Sequence, residues 1–516
     1  MKFSIFNFQF SIKQHYLLLA LIIFIFLLTR LYRISDIPPS LYWDEASIGY
    51  NGYSISKTLK DEWGDFLPLH FRAFGEFKLP VYIYATAIFV KIFGLNEFSV
   101  RAPAVLFSLG TLLATFFLAK KISASFSIAL WSTFLLTISP WFFIFSRTGY
   151  EVTAGLMFYI LGIYLFLLHK RKFLIFFAVL SFILSTYSYN SFRILSPLTL
   201  LILIIFEIKN LTANIRKLIP VIIISATFLA ASLFPIYRLY VYDAGNSRLN
   251  VVGIKSGKDF FTNYLSHFSP NFLLSGDKNL RSQQPRFGQI YSIDIFLIIF
   301  GILYILKSKS KYFWLFVIFL LIGPIPASLT KESPHALRSL STVPFICMIA
   351  SLGASYIKKI LKVKPLFLNC LIIIVAIIFF AKYFFSFLTT YPVQSSKDWQ
   401  FGYKEIFTKY SSEFSNYKRI IISDEYAQPY VFALFYGQYD PEKFRTTIIR
   451  NDVSQWGFST VYKFDKFEFG KVKKLVDENT VETLIFASAN EQISNKVPNE
   501  TIKFLDGSIA FWVYRI

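Results

Sequence analysis

Residues 16–45 read YLLLALIIFIFLLTRLYRISDIPPSLYWDE, an unbroken apolar run that closes on Thr29-Arg30 and Arg33 and passes straight into a polar, aromatic segment. A helix needs roughly 17 to 25 mostly apolar residues to cross a bilayer, and Tyr16 to Arg33 meets that length. No small-residue cleavage site follows, so the run is expected to be a retained anchor rather than a removable leader. Ten further runs of the same kind centre on 101–119, 126–145, 152–168, 173–189, 194–208, 218–237, 291–306, 312–329, 340–356 and 365–387. The expected fold class is mainly α, a polytopic membrane helical bundle of about eleven transmembrane helices.

Composition agrees. Of 516 residues, 55% are hydrophobic and 16% charged, against roughly 25% charged in soluble domains. The mean hydropathy is +0.51. A formal charge of +22 would suggest nucleic acid in a soluble protein. Here the basic residues gather in short segments between alternate runs: Lys120-Lys121, His169 to Lys172, Arg216-Lys217, Lys307 to Lys311 and Lys358 to Lys364. Positive loops mark the cytoplasmic side, so the charge is topology signal and a nucleic-acid partner is excluded. The N-terminus is then cytoplasmic and everything after about residue 388 extracytoplasmic, as in a multi-pass protein of the cytoplasmic membrane. This holds only if residues 79–94, rich in Tyr and Phe and carrying Lys91, lie in the outer interface without crossing.

The acidic residues are independent of the apolar runs, and they fall on the side expected to be outer. Of 15 Asp and Glu before residue 391, eight lie between Asp36 and Glu97, and Glu207 alone sits at the inner face. Residues 1–390 hold 37 Lys and Arg, while residues 391–516 hold 16 against 16 acids. The expected division is a membrane part, 1–390, with outer loops at 34–100 and 238–290, and an extracytoplasmic α/β domain at 391–516. In that tail Arg419 to Ser423 (RIIIS), Val461 to Phe469, Glu482 to Ser488 and Ile509 to Tyr514 read as strands, and Pro429 to Tyr436 as a helix.

Cys347 and Cys370 lie inside apolar runs, and the five histidines are far apart without ligand spacing. Neither a disulfide framework nor a zinc motif is available, so the chemistry must rest on carboxylates and cations. The densest polar constellation is Trp43-Asp44-Glu45, followed by Asp61-Glu62-Trp63, Asp65, Arg72, Glu76 and Lys78. A carboxylate at the lipid–water boundary can accept a hydroxyl proton while a nearby cation neutralises a leaving phosphate. A solvated loop with aromatic belt residues is the plainer reading. Glu151 begins a later run, where a carboxylate suits either chemistry or a helix N-terminus. Arg193, and Arg338 beside His335 in PHALRS, share the outer level; they suit phosphate binding or headgroup snorkelling.

The series YWDEASIGYNGYSI, FKLP opening an aromatic segment that ends in KIFG, and LNEFSVRAPAVLFSLGTLLATFFLAKK resembles the GT-C glycosyltransferases of family 39. These include relatives of protein O-mannosyltransferases and of the bacterial transferase that places aminoarabinose on lipid A. The resemblance is best over residues 30–200. It implies a polyprenyl-phosphate-sugar-dependent glycosyltransferase, hexosyl or pentosyl, acting on an acceptor hydroxyl outside the cytoplasm, with inversion. The base of that family falls on Asp44, with Glu45 completing the pair. The carrier-phosphate lysine falls on Lys78, and the second acidic position, commonly Asp, is Glu151 here. Arg193, Arg338 and His335 follow as phosphate-side groups, and Tyr42 and Trp43 as sugar-stacking rings. The resemblance implies no required cofactor, although the acids of the first loop leave a divalent ion open. Partners are the lipid-linked donor, a lipid, glycan or protein acceptor, and the bilayer. The alternative is a transporter or flippase of lipid-linked glycan, which predicts broken helices with mid-span charges.

Overall fold

The structure, a computed structural model, describes residues 12–74, 76–242, 251–254, 256–361, 365–452, 459–477, 480–494 and 496–516. Asp243 and part of the 238–290 loop therefore lie outside the described residues. Helices α1 (Ile12–Leu31), α2 (Trp43–Thr58), α3 (Pro80–Phe93), α4 (Glu97–Ser123), α5 (Phe126–Ile138), α6 (Pro140–Phe145), α7 (Val152–Phe166), α8 (Phe173–Thr186), α9 (Asn190–Thr212) and α10 (Ile215–Tyr242) build the N-terminal half. After α11 (Gly257–Ser266), helices α12 (Ser292–Lys307), α13 (Trp314–Ile322), α14 (Val343–Leu361) and α15 (Pro365–Thr389) complete the bundle.

Every apolar run of the sequence lies on helical segments, and among the described residues seven of these are long and apolar enough by themselves to cross a membrane: Ile12–Leu31, Glu97–Ser123, Asn190–Thr212, Ile215–Val241, Lys311–Ser328, Leu340–Leu361 and Leu366–Thr389, with shorter apolar helices at Pro80–Phe93, Phe126–Ile138, Val152–Phe166 and Phe173–Thr186. The run at 126–145 is two helices, because Ser139 leaves the helical region (ψ 124°) before Pro140 opens α6. Proline supplies no amide for the preceding turn, so a break just ahead of it is the physical expectation. The segment 79–94 forms α3, only 14 residues long, which at 1.5 Å per residue spans about 21 Å and falls short of the hydrocarbon core.

Helix α14 is the axis of the bundle, 94% buried over its apolar window. Its close approach to α12 depends on two glycines. A Cβ on Gly353 would stand 1.8 Å from the Leu297 carbonyl oxygen, and one on Gly301 2.0 Å from that of Ile349. Small residues of this kind let membrane helices pack backbone to backbone.

The C-terminal domain is a seven-stranded sheet in the order β4-β5-β6-β3-β7-β9-β8. Its strands are β3 (Arg419–Ser423), β4 (Ile449–Arg450), β5 (Val461–Phe464), β6 (Phe467–Gly470), β7 (Thr483–Ser488), β8 (Glu500–Lys503) and β9 (Ile509–Arg515). The RIIIS strand is central and runs parallel to both β6 and β7. Ile420, Ile421 and Ile422 are all fully buried, as a strand covered on both faces requires. Strands β4 and β8 escaped the sequence reading; the first has two residues, and the second, ETIK, alternates polar side chains with a single buried isoleucine.

Candidate active site

The loop after α1 is ordered by its own helix, hairpin and α3. Helix α2 begins at Trp43, so Asp44 and Glu45 stand in its first turn, where carboxylates meet unpaired amides and the positive end of the helix dipole. Tyr42 is the residue before the helix, and its amide donates back to Glu45 Oε2 at 3.3 Å. Strands β1 (Phe71–Ala73) and β2 (Glu76–Lys78) form an antiparallel hairpin in which Phe71 faces Lys78. That hairpin, closed by Leu79 and Pro80 at the head of α3, carries Lys78 over the start of α2. Lys78 Nζ donates to Asp44 Oδ1 at 2.6 Å. The lysine is 6% exposed and the carboxylate 26%.

The adjacent acid is placed differently. Glu45 is fully buried and receives Arg101 Nε on Oε1 and Nη2 on Oε2, both at 3.2 Å. Its Oε1 also accepts the Gly149 amide at 2.6 Å. Arg101 spends its remaining donors on the carbonyls of Ile34, Pro38 and Ser40. Glu45 and Arg101 thus tie together the loop after α1, the start of α4 and the 147–151 turn, whereas Asp44 remains partly exposed.

That turn brings Glu151 to the head of α7, two residues from Gly149. Glu151 occupies the N-terminal boundary position but makes no capping hydrogen bond with its side chain. Tyr150 lies within the electrostatic reach of both Asp44 and Arg281. Arg281, from the segment between α11 and α12, lies within electrostatic reach of Asp44 and Tyr150. Its guanidinium sits 3.6 Å above the Tyr42 ring, and Tyr42 in turn packs on Trp43 with ring centroids 4.6 Å apart. The sequence reading passed over Arg281 because it is one cation among several in a loop without periodicity; only its meeting with Tyr42 across the fold marks it.

The other anticipated cations lie elsewhere. Arg193 Nη1 donates to the Tyr240 hydroxyl at 2.8 Å, between α9 and α10. Arg338 holds Thr330 Oγ1 at 2.7 Å and Glu332 at 3.2 Å within its own loop. The amide of His335 donates to His267 Nε2 at 3.2 Å. Because that nitrogen accepts, the His267 proton is on Nδ1, 2.8 Å from the Asn263 carbonyl. Burial pushes His267 down to about 4, in keeping with a neutral ring. The next amide, Ala336, donates to Asp277 at 3.1 Å. The PHALRS loop therefore braces the segment leading to Arg281.

The C-terminal domain closes one side of the site. Gln400 accepts the Trp43 amide at 3.0 Å and donates to the Ala427 carbonyl at 3.0 Å. Lys404 pairs with Glu97 at 2.8 Å, and Arg445 donates to Ser54 and to the Asp61 carbonyl at 3.1 Å each. Beneath this contact Glu62 is buried, and the burial raises its carboxyl from the ordinary 4.5 to about 7. Among the described residues no three His, Cys, Asp or Glu side chains come together as a metal-ligand set.

Residues 20–240 match the family model for dolichyl-phosphate-mannose-protein mannosyltransferase. No curated protein matches the sequence. Among solved structures the fold is similar to that of ArnT from Cupriavidus metallidurans bound to undecaprenyl phosphate. The TM-score is 0.59 at 10% identity, over 98% of each chain. The apo form of that protein gives 0.60 at 10% identity over 97% of this chain and 98% of the other. The archaeal oligosaccharyltransferase AglB from Archaeoglobus fulgidus, in complex with an inhibitory peptide and a dolichol-phosphate, gives 0.50 at 14% identity over 82% of this chain and 64% of that one. The chain is a membrane protein of the GT-C glycosyltransferase fold, with residues 20–240 matching the dolichyl-phosphate-mannose-protein mannosyltransferase family.

Proposed function

We propose that this protein transfers a glycosyl group from a polyprenyl-phosphate-linked donor to an acceptor hydroxyl at the outer face of the cytoplasmic membrane, with inversion. The observation that carries this reading is the Asp44–Lys78 pair at 2.6 Å, in which the carboxylate keeps partial exposure and stands beside the Arg281–Tyr42–Trp43 stack. The family match on residues 20–240 and the lipid phosphates bound by the structural neighbours support it.

The reaction needs little covalent chemistry from the protein. The acceptor oxygen forms a bond to the anomeric carbon as the bond from that carbon to the phosphate oxygen breaks, and the phosphate leaves with the electron pair. Asp44 takes the acceptor proton. Lys78 and Arg281 hold the charge that develops on the phosphate, where fixed cations stabilise the transition state more than the ground state. The Tyr42 and Trp43 rings stack on sugar. Glu45 is a positioning residue, since each of its oxygens is taken by the surrounding fold. Glu151, entering through the same turn as Gly149, orients the acceptor. Arg193 and Arg338, with His335, support the carrier path at a distance.

Transfer of labelled sugar from a panel of synthetic polyprenyl-phosphate sugars, in membranes containing wild type or Asp44→Asn at matched expression, tests the reading. The variant is expected to lose on the order of 10²- to 10⁴-fold in rate, the usual worth of a general base. Full transfer by Asp44→Asn in inserted protein would remove Asp44 from the chemistry.

A further inference from the structure

A cavity stands far from Asp44, at the other end of α4. It has a volume of about 590 Å³ and is lined by Lys121, His169, Lys170, Lys172, Asn210 and Tyr312 on its polar side, with Ile122, Leu167 and Leu218 as apolar walls. Its size falls within the roughly 300–1,000 Å³ of small-ligand sites. Helix α4 fixes its position. Arg101 at one end of that helix holds Glu45, Lys121 at the other lines the cavity, and twenty residues at 1.5 Å each separate them by about 30 Å. That is the thickness of the hydrocarbon core. Helices α7 and α9 likewise end here, and α10 begins here.

Two observations make this more than a basic face. The first concerns unmet bonding. Glu207 is 1% exposed, the one acidic side chain at this end among the described residues, and it stands behind the wall. It accepts from Asn210 and lies 4.0 Å from His169 Nε2, so it orients two lining residues. His169 Nδ1 makes no hydrogen bond to another protein group, so the ring that lines the cavity keeps one nitrogen with unmet bonding capacity. The second concerns the walls. Lysines and amides on one side and aliphatic ends of membrane helices on the other match the junction between a phosphate headgroup and its acyl chains, a pattern that a freely soluble anion would not need.

We infer that this cavity is a second lipid site, one that holds the phosphate headgroup of an anionic membrane lipid at the end of the bundle opposite to Asp44. Lys121, Lys170 and Lys172 meet the phosphate charge, His169 and Asn210 give it direction, and Ile122, Leu167 and Leu218 receive the glycerol and first methylenes. Glu207 is a positioning residue.

The test uses the full chain in detergent, stripped of lipid, and native mass spectrometry with phosphatidylglycerol, phosphatidylcholine or inorganic phosphate. Wild type is expected to retain one phosphatidylglycerol, with Lys170→Gln/Lys172→Gln binding it about tenfold more weakly, as loss of two interfacial lysines implies. Lys307→Gln/Lys309→Gln removes the same charge outside the cavity and is expected to bind as wild type, and Lys170→Arg/Lys172→Arg to retain the lipid. Equal weakening in both glutamine pairs would overturn the inference, because the lysines would then act only through the general charge of the face. Stabilisation by inorganic phosphate without retention of phosphatidylglycerol would overturn the lipid assignment.

Discussion

The guanidinium of Arg101 and the carboxylate of Glu45 meet in two contacts of 3.2 Å, and neither side chain has any exposure. This pairing separates the roles of two consecutive acids. Desolvated ions of opposite charge hold each other in place, and losing either partner leaves the other buried without compensation.

Glu45→Gln and Arg101→Met are each expected to lower stability by about 3–5 kcal/mol, the usual cost of breaking a buried ion pair from one side. Thermal unfolding in detergent reads this directly. The double variant Glu45→Leu/Arg101→Met is expected to recover part of the loss. If Glu45→Gln kept the wild-type melting temperature but lost transfer, Glu45 would belong to the chemistry.

Arg281→Gln removes the cation that caps Tyr42 and keeps both residues of the Asp44–Lys78 contact. Transfer is expected to fall by roughly 10²- to 10³-fold, in line with the loss of one fixed donor to developing charge, while the melting temperature changes little. Arg338→Gln serves as the comparison, since it lies in a bracing loop; a larger loss there than at Arg281 would reverse the assignment.

Glu62 predicts a pH dependence of stability. Its folded carboxyl titrates near 7 and its unfolded one near 4.5. Below the lower value both states are protonated and the group is neutral to folding. Between the two, the unfolded chain ionises while the folded one keeps its proton, so stability falls as pH rises and stays reduced above 7. Glu62→Gln is therefore expected to raise the melting temperature at pH 8 and leave it near wild type at pH 5. An equal shift at both values would show that burial of Glu62 is not the cause.

Gln400 links the two parts of the molecule. Gln400→Ala leaves the Trp43 amide and the Ala427 carbonyl without partners, which costs about 1–3 kcal/mol. Hydrogen exchange is expected to quicken at residues 41–45 and 426–430 together. Unchanged exchange at 41–45 would mean that the C-terminal domain does not hold the site.

Much of this arrangement was legible in residue order. The apolar runs, the aromatic helix at 80–93 and the RIIIS strand followed from local pattern, because a helix or strand that buries a face must show that face in its sequence period. The break at Ser139-Pro140 was also written locally, yet the surrounding apolar residues masked it. Strand β8 was not legible, since its pairing with β9 comes from backbone hydrogen bonds that leave three of its four side chains exposed. Arg281 and Arg338 look alike in sequence; one rests on Tyr42 and the other on Glu332 through contacts made only by the folded loops.

By itself the sequence determined that the chain is a membrane bundle with a sheet domain at its end, and that Asp44, Glu45 and Lys78 stand together in one loop, because hydropathy and nearness along the chain act without reference to the rest of the fold. Only the tertiary structure decided which of the two neighbouring acids stays open. Arg101 and Gly149 come from 56 and 104 residues away to enclose Glu45, and a desolvated carboxylate must be paired, while Asp44, one position earlier on the helix, keeps partial exposure and meets the buried Lys78.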